Sequence, residues 1–235
     1  MVRLFCSGEP VKRILAPLLI GLIGAAILVA LGTWQLQRLT WKRSVLSEIE
    51  ATISGAAAPL PRLMSPTDQK YMPVTLEGTV EDGALYVLVS VKKRGAGWRV
   101  ISPFTTEEGR RVLLDRGFIR TDKKSALRMT GSASVEGNLH WPDDRNPSTP
   151  DNDVAGNIWF ARDLAQMAEV LDTEPLLVVA RSMSPVDSGM TPLPVDTAGI
   201  PNDHLQYAIT WFSLATIWIL MTGVWIRRRT TGMEG

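Results

Sequence analysis

The chain carries one cysteine and two histidines in 235 residues. Cys6 stands alone, so no disulfide can form within the chain, and it cannot join His140 and His204 in a His/Cys zinc site. Net charge is nearly absent too: 25 Lys and Arg against 24 Asp and Glu leave a formal charge of +1, too little to mark a nucleic-acid binder. Also missing are the Cys-x-x-Cys-His pattern of covalent haem attachment, G-x-S-x-G, the P-loop and H-E-x-x-H. A hydrolase would need a nucleophile beside a base. His140, in NLHWPDD, has no such neighbour and reads as a loop residue. Asp115, Asp143, Asp144 and Asp151 read as solvated loop carboxylates. These absences weigh against an enzyme. The chain also shows no internal repeat and no low-complexity tract.

Long uncharged runs, by contrast, are present at both ends. Ile14–Leu31 is eighteen residues without a charge and continues through Thr33 and Trp34; Tyr207–Ile226 is twenty. Pro17 is expected in the opening turn of the first helix, where its missing donor is no loss. Charges around the first span balance, with Arg3, Lys12 and Arg13 before it and Arg38, Lys42 and Arg43 after. Around the second, Arg227, Arg228 and Arg229 face Asp196 and Asp203, which places the C-terminus in the cytoplasm. The expected layout is a cytoplasmic N-terminus (1–13), a first span (14–34), an exported periplasmic domain (35–206), a second span (207–226) and a cytoplasmic C-terminus (227–235). Ala30 and Gly32 offer a small-x-small pattern, so signal cleavage is an open alternative for the first span, although the run exceeds a usual signal core. The short segment ahead of it, with Glu9 and little serine, does not resemble a mitochondrial transit peptide, so a bacterial cytoplasmic (inner) membrane is expected.

The fold class that follows is an α+β membrane protein: two transmembrane helices flanking a mainly antiparallel β domain, or partly closed barrel, with one or two short helices. The first helix is expected to run on past the membrane, since Leu36, Leu39, Leu46, Ile49 and Ile53 recur at helical spacing until Gly55–Pro61 breaks the pattern. Strands are expected at Tyr71–Glu77, Ala84–Val91, Trp98–Phe104, Arg110–Ile119, Ser132–Leu139 and Leu176–Arg181, and one helix at Asp163–Leu171. Ser182–Pro201, with four prolines and two glycines, reads as an extended connector.

Two places invite a partner. Trp34, Arg38 and Trp41 share a helix face, where a guanidinium between two indoles would form an interfacial anchor or a partner-binding surface. His204 opens the second apolar helix behind Asn202 or Asp203 as N-cap, and Trp211, Trp218 and Trp225 follow it at intervals of seven. Such a stripe suits a planar ligand, a neutral imidazole suits haem iron, and the bland alternative is helix packing. Gly21 and Ala25 permit helix association without naming a partner.

LGTWQLQRLTWK (Leu31–Lys42), GAGWRVISPF (Gly95–Phe104), VLLDRGFI (Val112–Ile119), NIWFARDL (Asn157–Leu164) and NDHLQYAITWF (Asn202–Phe212) together resemble the ordered motifs of the surfeit locus protein 1 family. The first and last are the specific ones. The resemblance implies a two-span, non-enzymatic assembly factor for cytochrome c oxidase. It would help haem a reach the oxidase catalytic subunit, with that subunit, the haem a synthesis machinery and membrane lipid as partners. In bacterial members the histidine of the last motif is associated with haem a; here that position is His204, with Tyr207 and Trp211 as further cofactor-binding candidates. The stripe of tryptophans could then flank the macrocycle. The alternative is a structural assembly partner of the oxidase that never holds haem, or more distantly a membrane-tethered sensor or transporter accessory. Phe118 stands where many relatives have tryptophan, while Arg116 and Gly117 are expected to serve the fold, Gly117 through a bulge or a close approach.

Overall fold

A computed structural model describes residues 9–92, 94–124, 129–187 and 189–231; Arg3 and Cys6 lie outside the described residues. The elements are α1 (Glu9–Ile53), β1 (Ala58–Pro59), β2 (Pro73–Val80), β3 (Leu85–Val91), β4 (Gly95–Thr106), β5 (Arg111–Arg120), β6 (Gly131–His140), α2 (Leu164–Leu171), β7 (Leu177–Ser184) and α3 (His204–Thr231). A 3-10 turn occupies Thr121–Lys123. Two compact units divide the chain: Met1–Ser47 with Ala198–Gly235, and Glu48–Thr197.

In the first unit, α1 and α3 are both long and apolar enough to cross a membrane. Because α1 begins at Glu9, Pro17 lies in the helix interior rather than in its opening turn. Proline is tolerated there when neighbours in an apolar medium satisfy the freed carbonyl. The helices run antiparallel along a seam whose α1 side is cut back to glycine. A Cβ on Gly24 would fall 2.5 Å from Trp218 Nε1, and one on Gly32 would fall 2.8 Å from the Phe212 ring. Ala208 and Ala215, seven residues apart on α3, are buried along with Gln35 of α1. Small residues on both sides let the two backbones approach, which is how helices associate where hydrophobic exclusion offers little.

The second unit is a closed barrel. Strand order is β1-β2-β6-β7-β5-β4-β3, and β2 returns to pair with the end of β4 through Gly78–Thr106 and Val80–Phe104. β4 is long enough to serve two neighbours on one edge, β3 along Gly95–Ile101 and β2 along Phe104–Thr106. Pairing is antiparallel except for β1 with β2 and β5 with β7. All six expected strands are present; the two-residue β1 was not foreseen, since Pro59 and its neighbours read as a helix break. All five barrel strands supply the interior, including Val74, Phe104, Leu114, Val135 and Val178. The outer face of β5 and β7 carries Leu113, Leu177 and Val179, covered by Met167 of α2 and by Trp159. Both faces of β5 are thus buried, which explains why VLLDRGFI lacks the alternation of a half-exposed strand. Asp163 caps α2 by accepting from Gln166 N–H. At the other boundary, Asn138 and Arg181 donate to the carbonyl of Ile53, satisfying the last turn of α1.

The connector after β7 differs from the extended tether expected of it. β7 itself reaches Ser184, and the chain then docks on the barrel: Phe118 and Thr191 exchange backbone hydrogen bonds, and Leu193 O accepts from Arg99. Asp187 pairs with Arg116 in a site where both side chains are buried. Gly117 makes the docking possible. Its φ is +114°, and a Cβ there would lie 2.3 Å from the carbonyl oxygen of Thr191. The β4–β5 register slips between Val100 and Ile101, opposite this point, so the expected bulge and the expected close approach are both found.

Replacing Gly117 with alanine should therefore cost about 2–4 kcal/mol through backbone strain and collision with Thr191. Gly109, with φ +83° and open space around it, is the control. In thermal unfolding of the full chain in detergent, Gly109→Ala should shift the midpoint by clearly less than Gly117→Ala. Equal shifts would contradict the docking argument.

Candidate functional site

Four of the five sequence motifs interlock within their own units. In the barrel, GAGWRVISPF and VLLDRGFI are the adjacent strands β4 and β5, joined by the ion pair of Arg99 with the fully buried Asp115. Asp115 Oδ1 also accepts from Gly117 N–H at 3.1 Å. Arg116 donates to Ser102, to Met129 O and to Asp187. NIWFARDL, the fifth motif, docks on the outer edge of β3: Trp159 N–H donates to Tyr86 O, Leu88 N–H donates to Trp159 O, and Asn157 Nδ2 donates to Ala84 O. These polar groups hold the barrel together.

The carboxylates expected to be solvated divide accordingly. Asp115 is in a strand and buried, and Asp144 holds Arg162 in a two-point pair at 2.7 and 2.9 Å. Burial alone would raise the Asp144 carboxyl, but hydrogen bonds and charge from Arg162 outweigh it and keep it below the usual range. Asp143 and Asp151 are exposed, as expected of loop acids. His140 is a correction. It ends β6 rather than lying in a loop, it stacks on Tyr71 with ring centroids 5.6 Å apart, and its Nδ1 is buried without a hydrogen bond among the described residues. Burial, reinforced by the charges of Arg162 and Lys70, pushes its imidazole down to about 4.

In the helix pair, the first and last motifs meet. α3 starts at His204, and Asp203 takes the N-cap position, its carbonyl accepting from Tyr207 N–H at 3.1 Å. His204 Nδ1 lies 2.8 Å from Gln35 Oε1. An amide oxygen can only accept, so in this arrangement Nδ1 donates to Gln35, and the ring nitrogen left for a ligand is Nε2. Gln35 was not singled out from the sequence, although it sits inside the TWQLQR motif between Trp34 and Arg38. A second residue that fixes an imidazole through one nitrogen and leaves the other open is the usual support of a metal-ligating histidine.

Around this pair, Tyr207 is exposed on the first turn of α3 and Trp211 is half-buried on the second. Trp34 and Trp41 are about half exposed on α1. Arg38 lies 4.4 Å from the centroid of the Trp41 ring, so the stack observed among the described residues involves one indole rather than two. The tryptophan stripe has a different occupation from the one expected. Trp218 Nε1 donates to Gly21 O at 3.0 Å, which makes it a seam residue. Trp225 lies under Arg229 at 4.1 Å. At about 1.5 Å of rise per residue they stand roughly 21 and 32 Å along the helix from His204, beyond reach of a ring held there. Trp211, about 10 Å along, is the stripe member left near the histidine.

What fold and site define is a chain with two apolar terminal helices around a β-barrel unit, and one oriented histidine at the start of the second helix. Residues 22–216 match the family model described as the SURF1 family. Surfeit locus protein 1 of Xenopus tropicalis is 32% identical over 211 residues, which is 79% of this chain and 67% of that protein. The human protein of the same name is 29% identical over 229 residues, 87% of this chain and 75% of its own. A SURF1-like protein of Rickettsia bellii is 29% identical over 217 residues, 88% and 89% of the two chains. The chain belongs to the SURF1 family.

The buried His140 gives a pH dependence. Unfolded, the imidazole protonates near its ordinary 6.5, and folded near 4. Between those values the unfolded chain binds more protons, so stability is full above about 6.5 and falls as pH drops toward 4, by about 2–3 kcal/mol in all. Denaturant unfolding of the full chain from pH 7 to 4 should show this slope, and His140→Gln should flatten it. An unchanged slope in that variant would assign the effect to other groups.

Proposed function

We propose that this chain is a two-span membrane protein and a non-enzymatic assembly factor for cytochrome c oxidase, holding haem a at His204 and assisting its insertion into the catalytic subunit. Family membership supports the assembly role, and the hydrogen bond between Gln35 and His204 supports ligation. The donor set fits: His204, held through Nδ1 by Gln35, would offer Nε2 as a nitrogen ligand to haem iron. Gln35 holds the imidazole through Nδ1, while Tyr207 and Trp211 offer aromatic surface beside it. Exposed apolar side chains along α1 and α3, among them Ile20, Leu22, Ile217 and Leu220, support burial in lipid. Arg227–Arg229 support a cytoplasmic C-terminus and hence a periplasmic barrel in a bacterial cytoplasmic membrane.

A second reading, an oxidase assembly partner that carries no haem, draws on the packing of Trp218 into the helix seam far along α3 from His204, which removes it from the surroundings of a haem held there. Co-expression with haem A synthesis, followed by absorption spectroscopy of the purified chain, separates the two. Wild type should copurify with haem A, His204→Ala should lose it, and Gln35→Leu should lower occupancy about tenfold by freeing the imidazole. Wild type without haem A, or His204→Ala with undiminished haem, would overturn ligation and favour the structural role. Loss of the protein should lower oxidase activity under either reading; unchanged activity would remove both.

A further inference from the structure

At the end of the helix pair away from His204, a groove of about 660 Å³ opens between α1 and α3. Pro17, Ile20 and Gly21 line one side, Trp218 and Trp225 the other, and Arg229 closes one end. We propose that this groove holds one anionic phospholipid, its phosphate on Arg229 and an acyl chain along the two indoles. The inference rests on the two-span reading of α1 and α3.

Three observations select that occupant. The lining is apolar apart from Thr222, whose hydroxyl donates to Trp218 O, and the end, where a guanidinium stands over the Trp225 ring and has no carboxylate partner among the described residues. An apolar trough with a cation at one end matches an acyl chain joined to a phosphate, and guanidinium groups bind phosphate oxygens in pairs. The length also fits. Trp218 to Arg229 is eleven residues, about 16 Å of helix, close to half of a hydrocarbon core about 30 Å thick. The groove therefore reaches from mid-bilayer to one surface, as one lipid of one leaflet does. Finally, Arg227 and Arg228 flank Arg229, giving the end of the groove a positive field that a zwitterionic lipid would not use fully. Ile20, 62% exposed, and Met221, 66% exposed, leave the trough open sideways, where a lipid can enter.

The full chain, in mixed micelles containing equal amounts of phosphatidylglycerol and phosphatidylcholine, can be analysed by native mass spectrometry. Wild type should retain one phosphatidylglycerol in about fivefold preference to phosphatidylcholine, the ratio expected of one added cationic contact. Arg229→Gln should bring the ratio close to one. Arg227→Gln, outside the lining and acting only through the field, should lower it clearly less than Arg229→Gln does, and Ile20→Trp should reduce retention of both lipids by filling the trough. Equal retention by wild type, an unchanged preference in Arg229→Gln, or a groove occupied by a second copy, seen as a lipid-free dimer mass, would overturn the proposal. Alkaline carbonate extraction of membranes containing the chain separates the two levels. Release into the soluble fraction defeats the two-span reading and this inference with it, whereas retention without lipid preference defeats this inference alone.

Discussion

The indole of Trp218 fills the space that a side chain at residue 24 would need, and its N–H donates to the carbonyl of Gly21. That contact sets the spacing and the register of the helix pair. With glycine at 21, 24 and 32 facing Thr222, Trp218 and Phe212 in turn, the backbones approach closely, and Gln35 meets His204 along the same seam. The dependence also runs the other way. An amide and an imidazole in a seam are costly unless they satisfy each other, so the hydrogen bond penalises slippage of one helix past the other. Packing supplies the proximity, and the polar pair supplies the register.

The same seam accounts for the seven-residue interval of His204, Trp211, Trp218 and Trp225. A heptad spacing returns each residue to nearly the same side of a helix, which suits a planar ligand and suits a packed neighbour equally well. Ala208 and Ala215 decide between them, because they lie buried between the larger residues where α1 makes its close approach. The stripe is a packing edge through most of its length. Near its first turn it carries a histidine whose second nitrogen has no hydrogen bond among the described residues, and near its last turn it borders a trough capped by arginine. Distance along the helix separates these two places as firmly as any wall would.

Six strands, α2 and both long helices could be read from the sequence because each has a local signal: β-branched runs between turn residues, a capped amphipathic turn, and uncharged stretches longer than any core helix needs. His204 was legible by its place in a motif at a helix start. Other features had no local signal to read. β5 and β7 are parallel neighbours with a barrel strand and a helix between them in the chain, and closure by β2 on β4 depends on a partner change along one edge. Arg116 finds Asp187 across 71 residues, inside a proline-rich stretch that looks like a tether. Gln35 finds His204 across 169. Polar pairs of this kind repeat at no period, and a glutamine in an apolar helix reads as an interruption until its partner is seen. His140 misled for a related reason: NLHWPDD has loop composition, yet β6 extends through the histidine because Leu177 pairs with it across the sheet.

The polar chemistry of the two units differs in a way that bears on function. In the barrel, Asp115, Arg116, Asn157, Asp144 and Arg162 bind strands, loops and the connector to one another. A residue committed to several such bonds cannot release them for a ligand without loosening the fold, since a buried charge deprived of its partner is strongly destabilising. In the helix pair the commitment is partial. Gln35 engages one side of the His204 ring and leaves the other, and Arg229 leans on an indole whose face does not exhaust its donors. Function requires groups that are held in place yet still have a bond to give. In the helix pair both conditions are met at the two ends of α3.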